Sequence, residues 1–243
     1  MKPNYKNIII GIIATIVLGL SCYFIYNKYS DKDNNDNKIV ESDKKVQDDL
    51  INIIKDNGLD ALSYEEKDIT FTDKPSNSQL YLAALYFEKI NKGKNYVFTR
   101  EELDDYYEKL YGVKPSSYQN IKCQVEQEDL YIYKENKYFI NDNHPGHGYY
   151  GPGFIDSYIT DYLNNDNDYT ISVLFLHGNE MDGYSVNEDN LFDENEEVND
   201  YSDKTLIKYF QENISKFMNT VKYQFTFTKS NGRYILKSFK KVN

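Results

Sequence analysis

The sequence predicts an α+β fold in which one N-terminal transmembrane helix is followed by helices packed on an antiparallel sheet. Three observations predict it. Residues 8–26, IIIGIIATIVLGLSCYFIY, form an apolar run without a charge or a proline. Between residues 46 and 112 apolar side chains recur at helical spacing. Beyond Pro115 they alternate with polar ones, as in half-buried strands.

The first element is the apolar run. At about 1.5 Å rise per residue its length amounts to about 28 Å of helix, the thickness of a bilayer's hydrocarbon core. A helix satisfies its own backbone hydrogen bonds, as lipid demands. Lys2 and Lys6 precede the run, and Lys28 and Lys32 follow it. The basic flanks therefore balance, and orientation is read from the short basic N-terminus, which has the layout of a signal anchor. The expected plan is a cytoplasmic tail and transmembrane helix over 1–26, a flexible linker over 27–43 and an extracytoplasmic domain over 44–243. A cleaved signal peptide would have a shorter apolar core and a small-residue cleavage site. Lipidation of Cys22 is disfavoured, because Gly19 stands three residues before it and bulky apolar residues follow. It reads as a small apolar residue within the helix.

Residues 27–43, NKYSDKDNNDNKIVESD, bury too little to offset the entropy of ordering and read as a tether. Val46, Leu50, Ile53 and Ile54 then predict a helix ending at Asn57-Gly58. Leu80, Ala83, Ala84, Phe87 and Ile90 predict a second, with Gly93 as its stop. Thr99 and Glu102 form a capping box for a third. Its stripe is Leu103, Tyr106, Tyr107 and Leu110, the tyrosines half-buried, and Gly112 ends it.

Ile121, Cys123 and Val125 alternate with polar residues and predict a strand. Residues 130–133 and 138–140 predict a hairpin, and 154–163 and 169–177 two further strands. Leu206, Ile207, Phe210, Ile214 and Phe217 give a helical spacing over 204–217, with Ser202 as its cap. Strands at 220–228 and 233–242 close the chain around a Ser-Asn-Gly turn. This order of helices and strands, with the closing stretch KYQFTFTKSNGRYILKSFKKV, resembles the NTF2-like superfamily. It is also similar to membrane-anchored extracytoplasmic proteins of low-GC Gram-positive bacteria. The resemblance implies a cone-shaped α+β domain and carries no motif that transfers a function.

Formal net charge is −11, and without Lys2 and Lys6 the remaining 26 basic and 39 acidic residues leave −13 outside the membrane. Nucleic acid and anionic lipid surfaces need a basic footprint, so nucleic acid is excluded as a partner. With one cysteine beyond the apolar run, Cys123, the exported part has no internal disulfide. There is no G-x-S-x-G elbow, Walker A loop or G-x-G-x-x-G turn.

The histidines supply the one candidate chemical constellation. His144 and His147 lie in NDNHPGHGYYGPG, whose glycines and prolines preclude a helix. His177 follows the run ISVLFL and stands just before Glu180 and Asp182. If these loops converge, His144, His147, His177, Glu180 and Asp182 form a donor set for zinc or another divalent metal, and a bound water could support hydrolysis. Against this, H-x-x-H in a glycine loop has no fixed geometry, and a polar turn accounts for it. The acidic stretch 187–203 reads as a solvated insertion in which Leu191, Phe192 and Val198 are candidate anchors for a partner. Taken together, these features predict a non-catalytic, membrane-anchored binding domain that requires no cofactor and meets a protein or cell-envelope component. The alternative is a metal-dependent hydrolase using the three histidines.

Overall fold

Two antiparallel sheets, not one, organise the chain. The structure is a computed structural model that describes residues 43–64, 68–90, 97–123, 128–141, 153–179, 183–192 and 202–242. The chain divides into Met1–Asp49 and Leu50–Asn243. Of the first unit, residues 43–49 are described, and they are helical. The second unit holds all the described strands.

Helix α1 covers residues 43–56 and stops at Asn57-Gly58, where the Asn57 side chain bonds the Ile53 carbonyl. A 3-10 helix follows at Leu59–Tyr64. Strand β1 (Ile69–Thr70) leads to α2 (Asn77–Ile90), and β2 (Phe98–Thr99) leads to α3 (Arg100–Tyr111). The predicted capping box is present: the Thr99 hydroxyl accepts from the Glu102 N–H, and the Glu102 carboxylate accepts from the Thr99 N–H. Two free N–H groups at the start of α3 are thereby satisfied. Gly112 ends the helix in the left-handed region, with φ 72°.

The remaining strands are β3 (Ile121–Lys122), β4 (Asp129–Lys134), β5 (Lys137–Ile140), β6 (Phe154–Asn165), β7 (Asp168–Asn179), β8 (Gly183–Val186) and β9 (Asp189–Asn190). Helix α4 (Asp203–Glu212) and a 3-10 turn (Ile214–Phe217) precede β10 (Lys222–Ser230) and β11 (Arg233–Val242). The small sheet runs β2-β5-β4-β3. The large one runs β1-β11-β10-β7-β8-β9, with β6 also paired to β7.

Helix α3 touches both sheets, meeting β2 at its start and β11 along its length. Its aromatic side chains form the core on either side. Phe98 stacks on Tyr138 at 4.7 Å and on Phe87 at 4.9 Å, while Tyr111 stacks on Phe71 at 4.8 Å. Tyr106 and Tyr107 are buried, not half-buried as their helical stripe suggested, and Tyr111 is buried beside them. The hydroxyls of Tyr106, Tyr107, Tyr111 and Tyr138 lie in this core without a hydrogen bond of good geometry. Burial, with neighbouring tyrosines adding, pushes all four above the usual phenol range. Tyr81 on α2 is pushed up to about 12, again mainly by burial.

The predicted fold class therefore needs correction. Helices packed on one antiparallel sheet, in the NTF2-like manner, give way to a strand-rich fold with two sheets. The physical reason lies in β2, β3, β8 and β9, which are two to four residues long. Strands this short carry almost no alternation, and alternation does not say which sheet a strand joins. Among the described residues no helix is long and apolar enough to cross a membrane. The apolar run 8–26 lies outside the described residues, as do the linker residues 27–42.

A second correction concerns the acidic stretch. Leu191 is 1 % exposed and belongs to a core cluster with Leu174, Leu176, Val186, Leu206, Phe210 and Phe217. Phe192 packs against the same cluster. These residues anchor α4 to the β7–β8 face instead of awaiting a partner. Val198 lies outside the described residues.

Strand β7 is forked. One edge pairs with β6 along almost its whole length. The other pairs with β10 from Asp168 to Val173 and with β8 from Leu176 to Asn179. Asn187 fills the gap between the two partners, with φ 54°. Its side-chain carbonyl accepts from the Phe175 N–H at 2.8 Å, its amide donates to the Val221 carbonyl, and its own N–H donates to the Phe175 carbonyl. One side chain thus replaces a missing stretch of strand. Asn187→Ala leaves the Phe175 donor and the Val221 acceptor unpaired, and it is expected to cost about 2–4 kcal/mol in urea unfolding. Asn187→Asp, which keeps the acceptor and loses the donor, should fall between. A cost under about 0.5 kcal/mol for the alanine variant would show that water satisfies the fork.

Candidate functional site

A groove of about 460 Å³ opens beside the 3-10 helix. Its described lining comes from the end of α1, the 3-10 helix, α2 and the first residue of β6. Ala61, Leu85, Tyr86 and Phe154 supply its apolar surface. Lys55, Asp60, Glu88 and Lys89 supply its charges. The size falls in the range of small-molecule sites, which combine apolar walls with a few placed polar groups.

The sequence explains how each wall arises. Helix α1 stops at Gly58 (φ 63°), and the chain re-enters as a 3-10 turn whose Leu59, Ala61 and Leu62 are buried. This turn carries Asp60 inward with them, leaving it 8 % exposed. Leu85 and Glu88 are half-buried, one α2 turn apart. Phe154 opens β6 and places its ring 5.7 Å from the Lys55 ammonium.

The charged groups differ in how well they are satisfied. Lys55 pairs with Asp156 at 3.4 Å. Lys89 donates to the Lys55 carbonyl at 3.3 Å. Asp60 faces the His177 imidazole, with Nε2 to Oδ2 at 3.6 Å. That separation exceeds a hydrogen bond.

His177 is 3 % exposed on β7, where it faces Ser185 across the strand pair. The Phe175 and Phe154 rings stand 5.6 Å and 6.1 Å from its ring. It also lines a second cavity of about 270 Å³ with Ser63, Ser185, Asn187, Glu188, Tyr223 and Lys241. Asp60 thus lines the groove and also faces a histidine that lines the cavity behind it.

Of the five residues predicted to hold a metal, His177 is described, and its described carboxylate neighbour is Asp60. His144, His147, Glu180 and Asp182 lie outside the described residues. Among the described residues no group of three or more His, Cys, Asp or Glu side chains is placed to hold a metal ion. Cys123 is half-buried beyond the end of β3.

Sequence reasoning missed Asp60. Its signal was local: an acid set within Leu59-Asp60-Ala61-Leu62, directly after a helix stop. An acid among apolar residues in a turn is a candidate for burial, although nothing local links it to His177. No protein-family model, curated protein or solved structure matches the chain.

Proposed function

We propose that the chain is a membrane-tethered extracytoplasmic binding domain and that the groove beside the 3-10 helix is its binding site. Residues 8–26 supply the tether, and the domain beyond them meets a protein or cell-envelope component. The observation that supports the reading is a groove of ligand size that combines apolar walls with a few charged groups. The acidic surface keeps nucleic acid and anionic lipid heads away from the domain.

The test is capture from an envelope extract by the full-length chain in detergent, beside Leu85→Trp. Leu85 is a half-buried lining residue, and indole at this position fills the groove. The expected result is a component held by the wild-type chain and lost with Leu85→Trp. Identical recovery by both chains would rule the groove out as the site.

A further inference from the structure

We infer that the free edge of β6 takes an extended segment of another protein by strand addition, and that Asp161 selects a segment with a basic side chain. The inference does not use the groove and adds a second binding surface. Strand β6 runs Phe154–Asn165 and pairs along one edge with β7. Among the described residues no strand pairs with its other edge. Strands β1, β2, β3 and β9, which end the two sheets, are two residues long, so β6 is the longest edge left open among the described residues. An open edge presents unpaired N–H and C=O groups to which a further strand can bond.

The side chains along this edge set its preference. Tyr158, Asp161 and Leu163 lie opposite Leu174, Ser172 and Thr170 of β7, which alternate, so the three share one face of the sheet. The bulge between Ile159 and Asp161 brings Asp161 onto that face. Tyr158 is 41 % exposed and Leu163 51 %, and the exposed Met218 lines a hollow with Thr160 and Asp161. Asp161 is exposed between these apolar groups. Its carboxylate accepts from the Tyr162 N–H at 3.0 Å and joins no ion pair among the described residues, although Lys222 lines the same hollow. An incoming strand with apolar, basic and apolar side chains on one face meets Tyr158, Asp161 and Leu163 in turn, and opposite charges on neighbouring strands attract. A second copy of the chain offers no such match. Its β6, FIDSYITDYLNN, has two acids and no base, and each copy carries −11.

Labelled, end-capped peptides test this on the full-length chain in detergent. The reference peptide is Thr-Val-Thr-Lys-Thr-Val-Thr, beside the same peptide with Glu for Lys and the Lys peptide N-methylated throughout its backbone. Fluorescence anisotropy gives the affinity of each. The Lys peptide is expected to bind, and the Glu peptide to bind about threefold or more weaker. N-methylation should abolish binding, because main-chain hydrogen bonds hold an added strand. Asp161→Asn, at an exposed side chain, should bring the Lys and Glu peptides to one affinity. Leu163→Lys, also exposed, should weaken the Lys peptide about threefold or more. Leu85→Trp, which fills the groove, should change none of these affinities, so failure of the groove and failure of this edge are told apart. Equal binding of the Lys and Glu peptides by the wild-type chain would overturn the selection of a base. Undiminished binding of the methylated peptide would overturn strand addition. Binding of the Lys peptide unchanged by Leu163→Lys would overturn the placing on β6, and binding of no peptide would overturn the inference outright. Self-association of the wild-type chain that Leu163→Lys removes would overturn it in favour of a second copy.

Discussion

Gly178→Ala is expected to be the most destabilising glycine-to-alanine change among the described residues. Gly178 lies in β7 beside His177, opposite Tyr184 of β8, with φ 153°. A Cβ there would stand 2.4 Å from Tyr184 Cδ1, 2.5 Å from the Gly183 carbonyl oxygen and 2.7 Å from Tyr184 Cα. Two of those three atoms are backbone, so no side-chain rotation relieves the overlap. Strand β8 must move away from β7, and the core cluster around Val186 and Leu191 moves with it. The expected loss is about 4 kcal/mol or more, in the range reserved for a broken core. Gly183→Ala is the matched control. It shares a positive φ, 84°, but nothing lies within 4 Å of its added methyl. Backbone strain alone should cost it about 1–2 kcal/mol. Urea midpoints for the two variants separate overlap from strain, and equal losses would mean that β8 does not approach β7 as described.

The second large effect is alkaline collapse. Tyr81, Tyr106, Tyr107, Tyr111 and Tyr138 all have phenols pushed upward, chiefly by burial. In the unfolded chain each loses its proton near about pH 10. Below that value both states are protonated and stability is untouched. Above it the unfolded chain releases protons that the folded one retains, so stability falls as pH rises. Each retained proton contributes up to about 1.4 kcal/mol per pH unit, and five such groups exceed the stability of an ordinary domain within about two units. Unfolding is therefore expected between about pH 10 and 12, with a late, cooperative tyrosinate signal coincident with loss of ellipticity. Tyr107→Phe should move the midpoint to higher pH. It removes a buried hydroxyl that has no good hydrogen bond, so it should cost little near neutrality. Ionisation of all the tyrosines in one step near about pH 10, with ellipticity intact, would contradict the packing of α3.

What the residues disclosed in advance follows from how locally each feature is encoded. The α3 capping box was legible because a threonine and a glutamate three apart act on each other directly. The β10–β11 and β6–β7 hairpins were legible because long strands alternate and their turns carry Asn-Gly or Asp-Asn. Pairing between distant segments was not. Nothing near Ile69 announces that it lies opposite Phe239, and nothing in SVNEDNLF announces a tiny hairpin whose Val186 and Leu191 fill a core. Tyr106 and Tyr107 read as half-buried because a phenol is amphipathic, yet the Tyr86 and Phe87 rings of α2 pack on Tyr106, and Tyr107 packs between Tyr106 and Tyr111. The candidate site divided in the same way. His177 stood out by its residue type, whereas its described carboxylate neighbour sits more than a hundred residues earlier in an unremarked turn.

Strand β1 reaches the large sheet only through β11, and α3 rests on that same strand. On the ribosome β11 emerges after every other described strand, so the seat of α3 is made later than all of them. Sheet closure must then wait for nearly the whole domain to leave the exit tunnel, and the early helices spend that interval with their aromatic faces uncovered. Contacts so far apart in the chain make assembly slow.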